Sequence, residues 1–114
     1  MSEAPLLLVT GNAGKLAEAR RLVGGELEAV DLDLPEVQSL DLAEVIRAKA
    51  AEAWRLVGRP LVVEETGLYL AALGGFPGPL VKWMLAAVGA DGIARTALAL
   101  GDGRVEARCA LLWF

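Results

Sequence analysis

The part of the chain that decides its fold reads LLLVTGNAGKL at residues 6–16. Four apolar residues in a row predict a short strand that is buried on both faces. The loop that follows contains two glycines and leads into a helix from about Lys15 to Val23, which Gly24-Gly25 ends. A strand that runs through a short loop into a helix is typical of α/β proteins, so the sheet is expected to be at least partly parallel.

The rest of the chain continues this alternation of strands and helices. The further predicted elements are a strand at 26–34, a helix at 42–57 with Asp41 as its N-cap, a strand at 61–63, helices at 80–88 and 92–100, and a strand at 104–114. No linker divides the 114 residues. We therefore predict one α/β domain over residues 1–114, with a mixed sheet flanked by helices.

The composition excludes several classes of protein. A chain that is 55% hydrophobic and 23% charged is not disordered. Its net charge of −4 argues against nucleic-acid binding, and no apolar run reaches the ~20 residues of a membrane-spanning helix. With no histidine and one cysteine, neither a histidine-based triad nor a cysteine metal cluster can form. We expect a soluble, cytoplasmic protein without nucleic-acid or membrane partners.

The loop Thr10–Lys15 is the first candidate site. Its glycines, Gly11 and Gly14, let the backbone approach a ligand closely, and the helix start offers N–H groups to an anion. Lys15 lies in the first helical turn, where its ammonium group can reach back towards a phosphate. The spacing differs from that of a Walker loop, and the alternative is a tight turn with a solvated lysine.

A lysine and a pair of acids form the next candidates. Lys49 projects onto the apolar stripe of the long helix, where it either extends to water or meets an anion. Glu64, Glu65 and Thr66 follow the third strand, at the edge where α/β proteins bind ligands, and only one of the two acids is expected to face a ligand. Carboxylates suit Mg²⁺ together with phosphate oxygens, while the alternative is a polar strand end.

Two charged residues carry weaker signals. Lys82 lies on the side of its predicted helix opposite the apolar stripe, so it is either solvated or a second phosphate contact. Glu36 follows Pro35 in an irregular stretch and is either an exposed acid or a metal ligand.

Four stretches of the sequence carry a family resemblance. They read VTGNAGKL at 9–16, DLPEVQ at 33–38, VVEETGL at 62–68 and ALGGFPGPLVKW at 72–83. In this order they resemble the inosine triphosphate pyrophosphatase family, the non-canonical purine NTP pyrophosphatases. The resemblance implies a two-lobed α/β fold, usually dimeric, that hydrolyses a nucleoside triphosphate to the monophosphate and pyrophosphate with Mg²⁺.

The resemblance also implies roles for individual residues. The positions that match substrate-binding residues are Thr10, Gly11, Asn12, Gly14, Lys15, Lys49, Thr66 and Lys82. Glu36 matches a metal ligand, and Glu65 matches the catalytic acid that is also linked to the metal. The family usually has Asp where this chain has Glu65, and the longer side chain changes how a water would be oriented.

The resemblance covers the N-terminal part of the family fold. The family's second half carries an aromatic-Gly-Tyr/Trp-Asp-Pro loop and a Ser-His-Arg motif that recognise the purine, and a sequence without histidine does not contain the latter. Two functions therefore stay open: a pyrophosphatase acting on ITP-, XTP- or dITP-like nucleotides, or a non-catalytic nucleotide-binding or dimerisation module.

A homodimer is expected. The final strand, apolar on both faces over residues 110–114, either docks internally or pairs with a second subunit.

Overall fold

The computed structural model describes residues 5–24 and 26–114. The elements of these residues are, in chain order, β1 (Leu6–Val9), α1 (Ala13–Val23), β2 (Leu27–Val30), α2 (Leu42–Val57), β3 (Leu61–Leu70), β4 (Pro77–Gly78), α3 (Val81–Ala99) and β5 (Val105–Trp113), with a 3-10 turn at Ala71–Leu73. β1 pairs in parallel with β2 and β3, β3 pairs antiparallel with β4, and β5 pairs with β3. The predicted class, α/β with a mixed sheet flanked by helices, is confirmed.

The chain divides into two compact units. The first unit consists of the described residues up to Glu36 together with Ile46–Glu64 and Leu111–Phe114. The second unit consists of Val37–Val45 and Glu65–Ala110. α2, β3 and β5 therefore contribute residues to both units. The single domain over residues 1–114 stays a prediction.

The first unit is built on β1. Its four residues pair with β2 from Leu6↔Leu27 to Val9↔Val30, and β1 pairs with β3 at Leu7↔Leu61 and Leu8↔Val62. The side chains buried in this unit are Leu7, Leu8, Val9, Leu27, Ile46, Ala50, Ala53, Leu61 and Val63. A strand buried on both faces follows from the run of apolar residues in β1, as predicted.

The second unit has its own apolar cluster. Leu70, Ile93 and Ala97 are buried, and Leu68, Leu73, Val81 and Met84 pack against them. α3 bends at Gly89, whose backbone (φ 72°, ψ 172°) is not helical and lies in a region that essentially only glycine adopts. The two helices predicted at 80–88 and 92–100 correspond to the two halves of α3.

The helix ends follow the sequence signals. α1 ends at Gly24, which has a left-handed backbone and donates its N–H to Arg20 O at 3.1 Å; the predicted Gly25 lies outside the described residues. The Asp41 side chain accepts the N–H of Ala43 at 3.0 Å, so the predicted N-cap of α2 is confirmed. None of the described helices is long and apolar enough to cross a membrane.

Two predicted strand lengths are wrong. β2 is shorter than 26–34, and β3 extends to Leu70 instead of ending at residue 63. Partner strands β4 and β5 supply hydrogen bonds to the later part of β3, and these long-range partners cannot be read from its polar residues. Glu64 and Glu65 therefore lie inside β3, although they still follow Val62, where its pairing with β1 stops.

Candidate functional site

The loop between β1 and α1 is held by its own side chains. Asn12 Oδ1 accepts the backbone N–H groups of Gly14 at 2.9 Å and Lys15 at 3.1 Å, and Thr10 Oγ1 accepts the N–H of Asn12 at 3.1 Å. Asn12 is thus the N-cap of α1. The N–H groups of Gly14 and Lys15, which were predicted to bind an anion, are already bonded to Asn12. The loop therefore has a fixed conformation before any ligand binds.

Two of the predicted phosphate-binding lysines converge on one residue in the first unit. The Lys15 ammonium group donates to the Glu64 carboxylate and forms an ion pair with it. The Lys49 ammonium group donates to the backbone oxygen of Glu64 at 3.0 Å. The side chain of Glu64 is 16% exposed and that of Lys15 is 44% exposed. Glu64 thus binds the ammonium groups of both lysines beside the capped loop.

A second carboxylate lies close to the same loop. A Cβ atom added at Gly11 would lie 2.8 Å from Asp31 Oδ2, so a larger residue here would have to displace the exposed Asp31 side chain. Asp31 is not among the predicted site residues. The parallel pairing of β1 with β2 brings Asp31 to the loop, because it aligns Val9 with Val30 and so places the residues after both strands side by side. The sequence alone does not show this pairing.

The predicted metal ligand of the first unit is Glu36. It is exposed and lies in the irregular segment between β2 and α2. Across residues 5–24 and 26–114, no group of three or more His, Cys, Asp or Glu side chains could hold a metal ion.

Three predicted site residues belong to the second unit. Glu65 is half-buried and Thr66 exposed on neighbouring positions of β3, so their side chains point to opposite faces. The exposed Lys82 places its ammonium nitrogen 5.3 Å from the centre of the Trp83 ring. Trp83 Nε1 donates to Gln38 Oε1 at 2.7 Å, which ties the end of the DLPEVQ stretch to α3.

The second unit also contains an open cleft of about 500 Å³ that none of the predicted site residues line. It is lined by Tyr69, Ala71, Gly74, Gly75, Arg104, Val105, Glu106 and Arg108. The Arg108 guanidinium carbon lies 4.2 Å from the centre of the Tyr69 ring. Hydrogen bonds from Arg104 lower the pKa of Asp102 to about 2, and the hydrogen bond from Arg108 lowers the pKa of Glu106. The arginines of the cleft are therefore paired with nearby acids.

The fold and the loop define an α/β protein in which two lysines meet at Glu64 beside a capped strand–loop–helix turn. The Ham1 family model matches residues 6–113, and the chain belongs to the Ham1 family. It is 39% identical to the inosine triphosphate pyrophosphatase of Aspergillus oryzae over 95% of this chain and 57% of that protein. It is 41% identical to the dITP/XTP pyrophosphatase of Methanopyrus kandleri over 79% of this chain and 50% of that protein. The family resemblance predicted from the sequence is confirmed.

Solved structures support the fold. A HAM1 protein from Coxiella burnetii superposes with a TM-score of 0.74 at 21% identity, covering 98% of this chain and 64% of that one. A nucleoside-triphosphatase / dITP/XTP pyrophosphatase from Mycobacterium abscessus gives 0.70 at 26% identity, covering 96% and 65%. The chain thus spans between half and two thirds of the length of these relatives.

Proposed function

We propose that this chain acts as a nucleoside triphosphate pyrophosphatase that converts ITP-, XTP- or dITP-like nucleotides to the monophosphate and pyrophosphate. The observation that carries the proposal is the meeting of Lys15 and Lys49 at Glu64, beside a loop capped by Asn12. Curated relatives that are 39% and 41% identical bear the names inosine triphosphate pyrophosphatase and dITP/XTP pyrophosphatase, and they supply the substrate class.

Each lysine has a role that follows from its contacts. The ammonium groups of Lys15 and Lys49 are held by the carboxylate and by the backbone oxygen of Glu64 respectively, so they are oriented before a ligand arrives. A triphosphate carries several negative charges where Glu64 carries one, so it competes successfully for Lys15. Lys82 is the proposed phosphate contact of the second unit. Glu65 is the proposed acid that orients the attacking water.

Magnesium is compatible with the donor chemistry of these residues. Mg²⁺ binds proteins through one or two carboxylates and takes its other ligands from substrate phosphates and water, so a cluster of three protein acids is not needed. The proposed ligands are Glu36 in the first unit and Glu65 in the second. When bound, the ion would neutralise charge on the triphosphate.

A pyrophosphate-release assay tests the proposal. ITP, XTP, dITP, ATP and GTP are compared with Mg²⁺ for the wild type, for Lys15→Ala and for the control Arg21→Ala, which removes an exposed positive charge further along α1. We expect Lys15→Ala to lose about a hundredfold or more of the turnover, and the control to keep it. Equal turnover in wild type and Lys15→Ala would contradict the proposed role.

The alternative is a module that binds nucleotides without turnover. It is favoured by Glu65, which stands where the family resemblance implies an Asp. Calorimetry with ITP and Mg²⁺ separates the two functions. Heat of binding without pyrophosphate release supports the module, and release supports the enzyme.

We also propose that the protein is a cytoplasmic homodimer in which β5 contributes to the contact. Cys109 is not in a disulfide, which suits a reducing compartment. The exposed apolar side chains Leu111 and Trp113 of β5 are 71% and 76% accessible, which suits a strand that is covered in an assembly.

A further inference from the structure

The ring of Trp83 is held in one orientation although it lies at the surface. Its side chain is 54% exposed, and an exposed indole ring can turn about two torsion angles. Here Trp83 Nε1 donates to Gln38 Oε1 at 2.7 Å, which is at the short end of the range for such hydrogen bonds. Because the donor lies on the edge of the ring, this hydrogen bond fixes the plane of the ring.

Both partners of this hydrogen bond are anchored within the second unit. Trp83 lies in the first turn of α3, whose apolar side chains pack against the cluster of that unit. Gln38 is followed by Ser39. The Ser39 hydroxyl group donates to Glu44 Oε2 at 2.9 Å and accepts the backbone N–H of Asp41 at 3.0 Å. The segment that carries Gln38 is therefore held to the start of α2.

The ring of Trp83 contacts the amine of its neighbour Lys82. The Lys82 ammonium nitrogen lies 5.3 Å from the centre of the ring, within the ~6 Å over which an aromatic face attracts a cation. Consecutive residues of a helix project about 100° apart and do not normally face each other. The Lys82 side chain therefore bends towards the ring, which restricts the many rotamers of a lysine.

We propose that Trp83 is a positioning residue: Gln38 fixes its ring, and the ring holds the Lys82 ammonium group in place for a phosphate group. The inference rests on the proposed function in taking Lys82 as a phosphate contact. The first turn of α3 reads Val81, Lys82 and Trp83, without an acidic residue, and the start of a helix favours an anion. A phosphate thus meets an amine that is already oriented, which lowers the entropic cost of binding.

NMR of the lysine side chains in the ligand-free protein measures the contact between amine and ring. The chain has three lysines, and the signals of Lys82 are those that Lys82→Ala removes. Methylene protons next to the amine shift upfield when they lie over an aromatic face. We expect this shift in the wild type and its loss in Trp83→Leu. Lys82 signals at solvated-lysine positions in the wild type would overturn the proposal.

A double-mutant cycle shows whether Trp83 acts through the amine. Calorimetry with inorganic tripolyphosphate and a chelator should give about two- to fivefold weaker binding for Trp83→Leu. In a Lys82→Ala background, Trp83→Leu should have no further effect. A loss of equal size in both backgrounds would mean that Trp83 supports only the fold, and it would overturn the proposal. The control Arg95→Ala removes an exposed positive charge from the second half of α3 and should bind as the wild type does.

The role of Gln38 has its own cycle. Gln38→Leu removes the acceptor, so it should reduce the upfield shift of Lys82 and weaken tripolyphosphate binding in the same direction as Trp83→Leu. Trp83→Phe keeps an aromatic face but lacks the N–H group, so adding Gln38→Leu to it should change neither quantity. A further loss in that double variant would refute the fixing of the ring by Gln38.

These measurements separate the inference from the proposed enzymatic function, because binding of tripolyphosphate requires no turnover. If the wild type releases no pyrophosphate while both cycles show coupling, the enzymatic function fails and the positioning role is retained. If Lys82→Ala binds tripolyphosphate as tightly as the wild type, or if neither binds it, the inference is overturned whatever the turnover.

Discussion

Replacing Glu64 by glutamine isolates the role of one carboxylate in the lysine cluster. Glu64→Gln keeps the shape of the side chain but removes the charge that Lys15 contacts. Lys49 donates to the backbone oxygen of residue 64, so that contact is retained. The Lys15 ammonium group then loses its carboxylate partner, and the net charge of the three side chains rises from +1 to +2.

The size of the effect follows from exposure. The Lys15 side chain is 44% exposed, so solvent screens the ion pair and its contribution to the free energy of unfolding is about 0.5–1 kcal/mol. A triphosphate that binds Lys15 has to displace Glu64. When the carboxylate is absent, that cost disappears, and binding tightens by about the same amount, which is roughly two- to fivefold in Kd.

Calorimetry with inorganic tripolyphosphate in the presence of a chelator measures this directly, because no metal then contributes. We expect Glu64→Gln to bind more tightly than the wild type and Lys15→Ala to bind more weakly. Glu28→Gln removes an exposed carboxylate from β2 and serves as the matched control, with little change expected. Weaker binding by Glu64→Gln would refute the reasoning, since the carboxylate would then help the ligand rather than compete with it.

Three further predictions concern stability and titration. Asn12→Ala should lower the free energy of unfolding by about 1 kcal/mol, because the N–H groups of Gly14 and Lys15 lose their acceptor. Asn12→Asp keeps an acceptor and should keep the stability. Urea denaturation compares the two variants, and equal losses would contradict the capping role. Gly67→Ala should destabilise by roughly 1–3 kcal/mol, because the new Cβ would lie 2.8 Å from the Tyr69 ring; an unchanged melting temperature would argue against this contact. Arg104→Leu should return the pKa of Asp102 from about 2 towards 3.8 in an NMR titration. Because the folded pKa is lowered, the pair stabilises the protein above pH ~4, and this stabilisation is lost as pH falls towards 2.

The parts of the site that depend on local sequence were predictable. The apolar run of β1, the glycine loop and the helix after it follow from neighbouring residues, and helical periodicity placed Lys49 on an inward face. The sequence also indicated that only one of Glu64 and Glu65 would face a ligand. It could not say which of them meets Lys15, because that depends on how β3 is rotated about its axis by its partner strands.

Other features depend on contacts that are distant in sequence. Asp31 approaches Gly11 through the register of two parallel strands, and β3 reaches Leu70 because other strands pair with it. The apolar residues of α1 include Leu22 and Val23, which are 80% and 64% exposed. Periodicity finds an amphipathic face, but it does not show whether another element covers that face.

The bend at Gly89 separates two halves of α3 that would rotate together in a straight helix. The half of α3 before it carries Lys82, and the half after it carries Ile93 and Ala97. Since a straight helix transmits any rotation along its full length, an insertion near Lys82 would otherwise turn the buried residues out of their cluster. With the break at Gly89, a rotation of the first half of α3 is not passed on to Ile93 and Ala97, and it is restrained by Val81 and Met84, which pack against the same cluster.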